Sequence, residues 1–207
     1  MRKRRLAAVV SALVAPLLVI VFVLPAGGTT KSHRFFGFGL RARISSVDPV
    51  QSAAFSVLSG APVSAPPQPV ATFAARPGGQ HFGVNPSLAR AIKAPDGSGE
   101  TWYVVPGNGA VCLVASFDLC GTTAQAKAGT VWASEVPGTP PYPPDLSEKF
   151  VGLVPDGADT VVVRNHDGTT SSAPVANNTY SVDAKGASEL MFERGNQNVL
   201  TVIIPTH

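Results

Sequence analysis

The sequence predicts a mainly β protein: a small antiparallel β-sandwich or barrel-like domain with one or two short N-terminal helices, preceded by a single membrane-inserting helix. Three observations support this fold class. A long apolar run follows a basic N-terminus, helical patterns end before residue 98, and nine short runs rich in β-branched and aromatic residues fill the C-terminal half. With 207 residues, of which 14% are charged, the chain fits one ordinary domain plus a tail.

The N-terminus carries the signature of membrane insertion. Arg2, Lys3, Arg4 and Arg5 precede residues 6–24, a run of 19 residues without a charge. A helix of that length rises about 28 Å, close to the roughly 30 Å thickness of the hydrocarbon core. Because positive charge stays on the cytoplasmic side, we expect the N-terminus inside and the rest of the chain outside the plasma membrane.

Residues 1–28 are either a permanent signal-anchor or a cleavable signal peptide, since both begin in this way. The apolar run exceeds the roughly 7 to 15 residues of a cleavable signal, which favours an anchor and a single-pass membrane protein. Ala26, Gly27 and Gly28 are small residues of the kind that signal peptidase requires. Cleavage near Gly28 would instead give a secreted protein.

The charge distribution argues against a nucleic-acid partner. Removing the four basic residues at positions 2–5 from the formal charge of +3 leaves −1. Residues 77–207 carry seven basic and twelve acidic groups. A slightly acidic exported part lacks the basic surface that phosphate binding requires.

Residues 29–80 are predicted to hold a juxtamembrane segment, a short helix and a Pro/Ala-rich linker. Asp48, Pro49 and Gln51 stand in the order of an acidic N-cap, a first-turn proline and a third-position glutamine, which is close to a capping box. Gly60 would end this helix in the left-handed conformation. Its apolar face is predicted from residues at helical spacing, namely Val50, Ala53, Ala54, Val57 and Leu58.

The next stretch is predicted to be extended and then briefly helical. Residues 61–80 contain five prolines and no acid, which favours extended backbone, either as a linker or as an arm lying over the domain. Asn85 and Pro86 then open a second short helix. This helix is predicted to bury Leu88, Ala91 and Ile92.

Residues 81–207 are predicted to form an extracytoplasmic β-domain. Turn sequences at 106–109 and 165–168 are typical of joints between antiparallel strands. The nine predicted strands are 101–105, 110–115, 130–134, 150–154, 160–164, 172–175, 179–183, 189–193 and 198–204.

Cys112 and Cys120 are the only cysteines. We predict a disulfide between them, because an exported domain lies in an oxidising environment. A bridge needs Cα atoms within roughly 7 Å, so the chain must reverse between the two, near residues 116–118. The alternatives are two buried thiols, or a redox or metal site. The Cys-x7-Cys spacing is typical of neither a zinc nor a thioredoxin-like site.

Catalytic motifs are missing from the sequence. It has no Gly-x-Ser-x-Gly, no His-Glu-x-x-His and no phosphate-binding glycine loop. Of the four histidines, His81 alone lacks a local explanation, since His33 adjoins the membrane, His166 lies in a turn and His207 ends the chain. We predict a non-enzymatic protein without cofactor or metal.

Three groups of residues suggest a binding site, and we interpret each of them as structural. Asp156, Asp159, Asp167 and Asp183 are not spaced as one calcium loop and are interpreted as turn acids. The proline-rich segment 137–144 is interpreted as a rigid connector, with exposed recognition as its alternative. Core or cross-strand packing, with the lining of a ligand groove as its alternative, is predicted for the aromatic residues Trp102, Tyr103, Trp132, Tyr142 and Tyr180.

Three segments of the C-terminal half form a distinctive combination: TWYVVPG at 101–107, GLVPDG at 152–157 and NTY at 178–180. Over roughly residues 80–205 the pattern resembles a group of uncharacterised exported proteins, secreted or membrane-anchored, from actinobacteria. The resemblance implies export and a β-rich architecture, and it implies no activity.

The sequence therefore predicts an extracytoplasmic cell-envelope protein, membrane-tethered or secreted, whose β-domain contacts another protein or a surface polymer. One alternative is a small-ligand binder or hydrolase with a groove near His81, recognisable if His81 meets an acid and a hydroxyl in a concave pocket. Another is a purely structural domain, recognisable by the absence of a pocket or an exposed apolar patch. No binding residue is assigned.

Overall fold

A computed structural model describes residues 40–135 and 148–205 of the chain. The predicted membrane helix with its basic flank, and segment 137–144, lie outside these residues. So do His33, Tyr142 and His207. No helix within the described ranges is long and apolar enough to cross a membrane. The described chain is mainly β with antiparallel sheets and a few short helices, as predicted.

Short helices precede and interrupt the strands. The α-helices are α1 (Pro49–Ala54), α2 (Gln68–Ala75), α3 (Pro77–His81) and α4 (Thr123–Lys127). Two 3-10 helices, Ser56–Ser59 and Pro86–Leu88, lie among them.

Eleven strands of the described chain form three antiparallel sheets. The first sheet has the order β1 (Arg90–Lys93), β2 (Thr101–Gly107), β3 (Ala110–Val114), β4 (Asp118–Thr122). The second has the order β5 (Val131–Glu135), β6 (Glu148–Leu153), β9 (Thr179–Ala184). The third has the order β11 (Gln197–Ile203), β10 (Ala187–Arg194), β7 (Thr160–Asn165), β8 (Thr170–Pro174). All nine predicted runs are strands, whereas β1 and β4 were not predicted.

Helix α1 begins where the sequence predicts but buries a different face. The Asp48 carboxylate caps it by accepting a hydrogen bond from the Val50 amide at 2.8 Å. The predicted capping box is wrong, because the Gln51 side chain points into the protein instead of back to the cap. The predicted apolar face is wrong at Val50 and Ala53, which are exposed while Gln51 is fully buried. Gly60 is extended, with φ of −68°, and not left-handed.

The extended backbone predicted for residues 61–80 is wrong, because the stretch contains α2 and most of α3. Proline stands in the first turn of both α2 and α3, where its missing N–H removes no helical hydrogen bond. Val70 and Phe73 of α2 are buried against Val105 and Val114 of the first sheet. The core of the domain therefore includes residues upstream of His81.

The second predicted helix is confined to Pro86–Leu88, where the Asn85 side chain accepts a hydrogen bond from the Ser87 amide at 3.0 Å. Ala91 and Ile92, which were predicted to continue it, belong to β1 instead. Residues of β1 are alternately buried and exposed, and Ile92 stands opposite Trp102 of β2. Pairing with a strongly β-forming neighbour has overridden the helical spacing.

Three clusters of buried side chains fill the domain. Phe55 and Leu58, after α1, pack with Trp102 and Leu113 of the first sheet and Val151 of the second. A second cluster lies between the second and third sheets and contains Phe150, Tyr180, Leu190 and Phe192. The third holds α2 against the first sheet. The packing prediction holds for Trp102 and Tyr180, which are buried, and for Tyr103 and Trp132, which pack half-buried against the clusters.

The Cys112–Cys120 disulfide is present, with the two Cα atoms 4.2 Å apart. The cysteines face each other in the register of β3 and β4, and the chain reverses around Ser116. Closing so small a loop stabilises the fold by about 2.5 kcal/mol in the chain-entropy model.

An ion pair ties the turn before β2 to β6. The Lys149 amine lies 2.5 Å from a carboxylate oxygen of Asp96. This hydrogen bond is the main reason why the pKa of Asp96 falls to about 2. In the unfolded chain the pKa of an aspartate is near 3.9. Because the pKa is lower in the folded chain, the ionised carboxylate stabilises the fold fully at pH values above about 3.9. That contribution is lost as the pH falls through 2.

We therefore expect Asp96→Asn to lower the free energy of unfolding by about 1 kcal/mol at neutral pH, since the pair is partly exposed to water. The difference from the wild type should shrink as the pH approaches 2. Urea unfolding across this range measures it. Asp118→Asn is the matched control, because its partner Arg76 lies 3.5 Å away with both side chains well exposed. An Asp96→Asn effect that does not change with pH would contradict this account.

Candidate functional site

His81 and His166, the two histidines in the part of the chain that the structure describes, belong to different elements. His81 ends α3, and its ring packs edge-on against Phe82 with centroids 4.9 Å apart. Neither cleft is lined by His81. His166 is exposed in the turn between β7 and β8.

Three of the four aspartates with a possible metal role are exposed turn or strand residues. Asp167 accepts hydrogen bonds from the Thr169 amide at 2.9 Å and its hydroxyl at 2.6 Å. The hydroxyl bond is the main reason why the pKa of Asp167 is lowered. Asp159 accepts from the Gly195 amide at 2.9 Å, and Asp183 is exposed on β9. Within the described part of the chain, no group of three His, Cys, Asp or Glu residues is placed to hold a metal ion.

Asp156 differs from these, because it joins distant parts of the chain. Its carboxylate accepts hydrogen bonds from the Ser56 amide at 2.9 Å and the Ser56 hydroxyl at 2.6 Å. The Asn178 side-chain amide donates to the same carboxylate at 2.9 Å. The Asp156 amide donates to the Ala54 carbonyl at 2.8 Å. We call Ser56, Asp156 and Asn178 the Asp156 network.

Asn178 is the buried member of the network. It lies in the turn between β8 and β9 with a φ of 63°, a left-handed conformation that asparagine adopts more readily than most residues. Its side-chain amide also donates to the Val154 carbonyl at 3.1 Å, and its side-chain oxygen accepts from the Val57 amide at 3.1 Å. The network thus fastens the segment after α1 to the loop after β6 and the turn before β9.

Two residues from the distinctive sequence segments meet beside this network for a packing reason. Gly152 of β6 stands opposite Tyr180 of β9, and a Cβ atom at position 152 would lie 2.6 Å from the tyrosine hydroxyl oxygen. Burial raises the pKa of Tyr180 far above its usual range. The GLVPDG and NTY segments therefore fix one corner of the fold through close packing and the Asp156 network.

Two adjoining clefts open over this corner. The first, of about 270 Å³, is lined by Lys127, Val154, Pro155, Asp156, Gly157, Ala158, Arg194, Val199 and Leu200. The second, of about 520 Å³, is lined by Pro49, Val50, Ala53, Ala54, Lys127, Pro155 and Asp156. Because they share Lys127, Pro155 and Asp156, we treat them as one surface and call it the Asp156 groove.

The groove combines apolar walls with two cations. Val50 is 56% exposed and Val199 50% exposed, and both belong to the few large apolar side chains that face water in the described residues. Lys127, in the last turn of α4, and Arg194, at the end of β10, have no carboxylate partner among residues 40–135 and 148–205. Arg194 Nε donates to the Gly157 carbonyl at 2.8 Å, which holds its guanidinium at the rim.

The groove offers both charged and apolar contacts to a ligand. Two cations against the single carboxylate of Asp156 leave the groove with a net positive charge. The Asp156 oxygens already accept hydrogen bonds from the network. Ser56 contacts a carboxylate, but the lining of the two clefts contains no histidine or cysteine that could activate a nucleophile.

Sequence analysis missed Ser56, Lys127 and Arg194 and took Asp156 only as a turn residue. Ser56 and Asp156 are 100 positions apart, so no local spacing relates them. The sequence marks a turn at Asp156-Gly157, and turn chemistry says nothing about which groups the carboxylate binds. No family model, no curated protein and no solved structure matches the chain.

Proposed function

We propose that the chain is an extracytoplasmic, non-enzymatic binding protein of the cell envelope. In this proposal residues 6–24 tether it to the plasma membrane, or cleavage near Gly28 releases it. The strands close into a small sandwich or barrel-like domain. The Asp156 groove receives an extended, acidic segment of another envelope protein.

One observation carries the proposal: exposed aliphatic side chains and two cations without carboxylate partners line the same groove. Buried apolar surface supplies affinity, and charge complementarity supplies specificity and association rate. An extended peptide that alternates acidic and aliphatic residues can offer one face to the cations and the other to Val50, Pro155 and Val199.

A protein partner fits this lining better than a surface polymer does. Sugar rings are commonly held by stacking on aromatic side chains, and the lining of the two clefts has no aromatic residue. A purely structural domain would have no use for exposed valines beside unpaired cations. Nothing in the described geometry favours a hydrolase at His81.

Fluorescence anisotropy at low salt tests the proposal with the full-length chain in detergent. The probe is a labelled peptide of alternating Glu and Val, about eight residues long and so roughly 26 Å when extended. The comparison probe replaces each Glu with Lys. We expect the acidic peptide to bind at least about tenfold more tightly than the basic one, and raised salt to reduce the difference.

Charge reversal locates the binding. Lys127→Glu with Arg194→Glu should abolish the preference for the acidic peptide. Lys93→Glu with Lys185→Glu, two exposed cations that line neither cleft, should leave it intact. Equal binding of the two peptides, or equal effects of the two double variants, would refute the proposal.

A further inference from the structure

The third sheet ends in an unusually open edge at β11. On one side β11 pairs with β10, and on the other it has no strand partner among the described residues. The strand has seven residues, and Ile203 is 69% exposed on it.

The other sheet edges carry the features by which proteins discourage strand addition. Such features include short length, charged residues, proline and β-bulges, and β11 has only the last of these, at Val199. β1 has four residues, including Arg90 and Lys93, and β8 ends in Pro174. Of the six edge strands in the described chain, β11 is the longest, and it alone contains neither a charged residue nor a proline.

The hydrogen-bonding groups of this edge face outward at defined residues. The Ile204 amide donates to the Ser188 carbonyl, and Leu190 stands opposite Val202 in the register of β10 and β11. Because antiparallel strands alternate the side to which each residue directs its N–H and C=O, those of Thr201 and Ile203 point to the free edge. The register of β11 with β10 shifts at Val199, so the regular edge that another strand can join covers residues 200–203.

We propose that β11 pairs antiparallel with β11 of a second copy of this chain. A two-fold axis at Thr201 would set the two threonines opposite each other and bring Val199 of each copy beside Ile203 of the other. The exposed aliphatic side chains then cover each other, and cross-strand pairs of β-branched residues stabilise a sheet. Because β11 is uncharged, the pairing of identical strands brings no like charges together.

This inference goes beyond the proposed binding function and does not depend on it. It bears on that function because Val199 also lines the Asp156 groove: its contact with Ile203 of the second copy would leave Val50, Pro155 and Leu200 as the apolar wall for the acidic segment. Pairing through β11 would place the grooves of the two copies close together. A partner with two acidic segments could then contact both.

A disulfide trap in intact cells tests the pairing in the full-length chain. The two native cysteines are already bonded to each other, so an introduced cysteine is the sole free thiol of the described chain. Thr201→Cys would place two thiols at the axis, where Cα atoms of an antiparallel pair lie about 5.5 Å apart, within the range of a disulfide. Mild oxidation should give a species of twice the 21.3 kDa chain mass, which reduction reverses.

Thr170→Cys is the matched control, since it is exposed on β8 at the opposite edge of the same sheet and carries the same N-terminal segment. It should give at least about tenfold less dimer than Thr201→Cys. Adding Ile203→Lys to Thr201→Cys should reduce the trapped dimer by a similar factor, because the lysine charge would be buried beside Val199 of the other copy. Circular dichroism of each variant confirms that the fold is kept.

Two outcomes would overturn the inference. One is cross-linking of Thr201→Cys at no more than the Thr170→Cys level, or insensitive to Ile203→Lys. The other is a Thr201→Cys adduct whose mass is not twice that of the chain, which would assign the edge to a strand of a different protein.

Discussion

Replacing Gln51 with alanine is expected to lower the free energy of unfolding by about 3 kcal/mol. Its side-chain amide lies fully buried between α1 and the first sheet. There it donates to the Gly107 carbonyl at 3.0 Å, the Ala110 carbonyl at 2.8 Å and the Thr123 hydroxyl at 3.2 Å. Alanine would leave these acceptors without their donor and open a cavity.

Gln51→Glu separates the lost donor from the lost volume, because it keeps the shape of the side chain. It would turn a carboxylate toward two carbonyl oxygens, so we expect it to be at least as destabilising as Gln51→Ala. Val50→Ala is the control, since Val50 is exposed and should change stability by no more than about 0.5 kcal/mol. Urea unfolding followed by circular dichroism measures all three. A larger loss from Val50→Ala than from Gln51→Ala would mean that α1 buries the face predicted from its apolar spacing.

Helix α1 illustrates what apolar spacing cannot reveal. Its start could be predicted because the cap is local: Asp48 bonds the amide of Val50, two residues away. Which face is buried depends on carbonyl groups more than fifty residues further along the chain, at Gly107 and Ala110. A polar side chain that satisfies those groups wins over an apolar one that would leave them unpaired.

The strands could be predicted where their own residues specify them. β-branched and aromatic runs such as that of β2 favour an extended backbone in any sheet. β4 has the sequence DLCGT, with few such residues, and forms because it pairs with β3 and is cross-linked to it. β1 contains Arg90, whose guanidinium is held in the interior by the Leu58 and Leu88 carbonyls. In both strands tertiary contacts supply what the local sequence lacks.

Counting prolines misled the prediction for residues 61–80 because position within a helix matters more than number. Pro69 and Pro77 occupy first-turn positions, where proline's fixed φ suits the helix. Between them, Val70, Phe73 and Ala74 turn one face of α2 into the core. Burial of that face stabilises a helix of eight residues that would be marginal alone.

The candidate site was the least predictable part, since the Asp156 groove is assembled from α1, α4, the loop after β6 and the strands β10 and β11. Each of these elements contributes one to five residues, and no regular spacing in the sequence relates the residues of one element to those of another. The sequence does mark two turns at the corner, through Asp156-Gly157 and Asn177-Asn178. Turn chemistry of this kind is a local property, whereas the meeting of those turns depends on the packing of the whole domain.

Substitution of those two adjacent asparagines is expected to change the free energy of unfolding by very different amounts. Asn177 and Asn178 both adopt left-handed conformations, with φ of 51° and 63°. Asn177 is exposed, and its side chain has no hydrogen bond in the described chain, whereas Asn178 is buried within the Asp156 network. Asn177→Ala should therefore cost about 1 kcal/mol of stability from backbone strain alone. Asn178→Ala should cost about 3 kcal/mol or more, because it leaves the Val154 carbonyl and the Val57 amide without partners.

Glycine at each position removes the strain and leaves only the side-chain contribution. We expect Asn177→Gly to be close to wild type, and Asn178→Gly to keep most of the loss seen in Asn178→Ala. Hydrogen exchange at the Val57 amide gives a local readout, since it should become faster in both Asn178 variants and in neither Asn177 variant. If Asn178→Gly regained wild-type stability, the turn conformation alone would explain Asn178, and the Asp156 network would not be what holds the segment after α1 to the sheets.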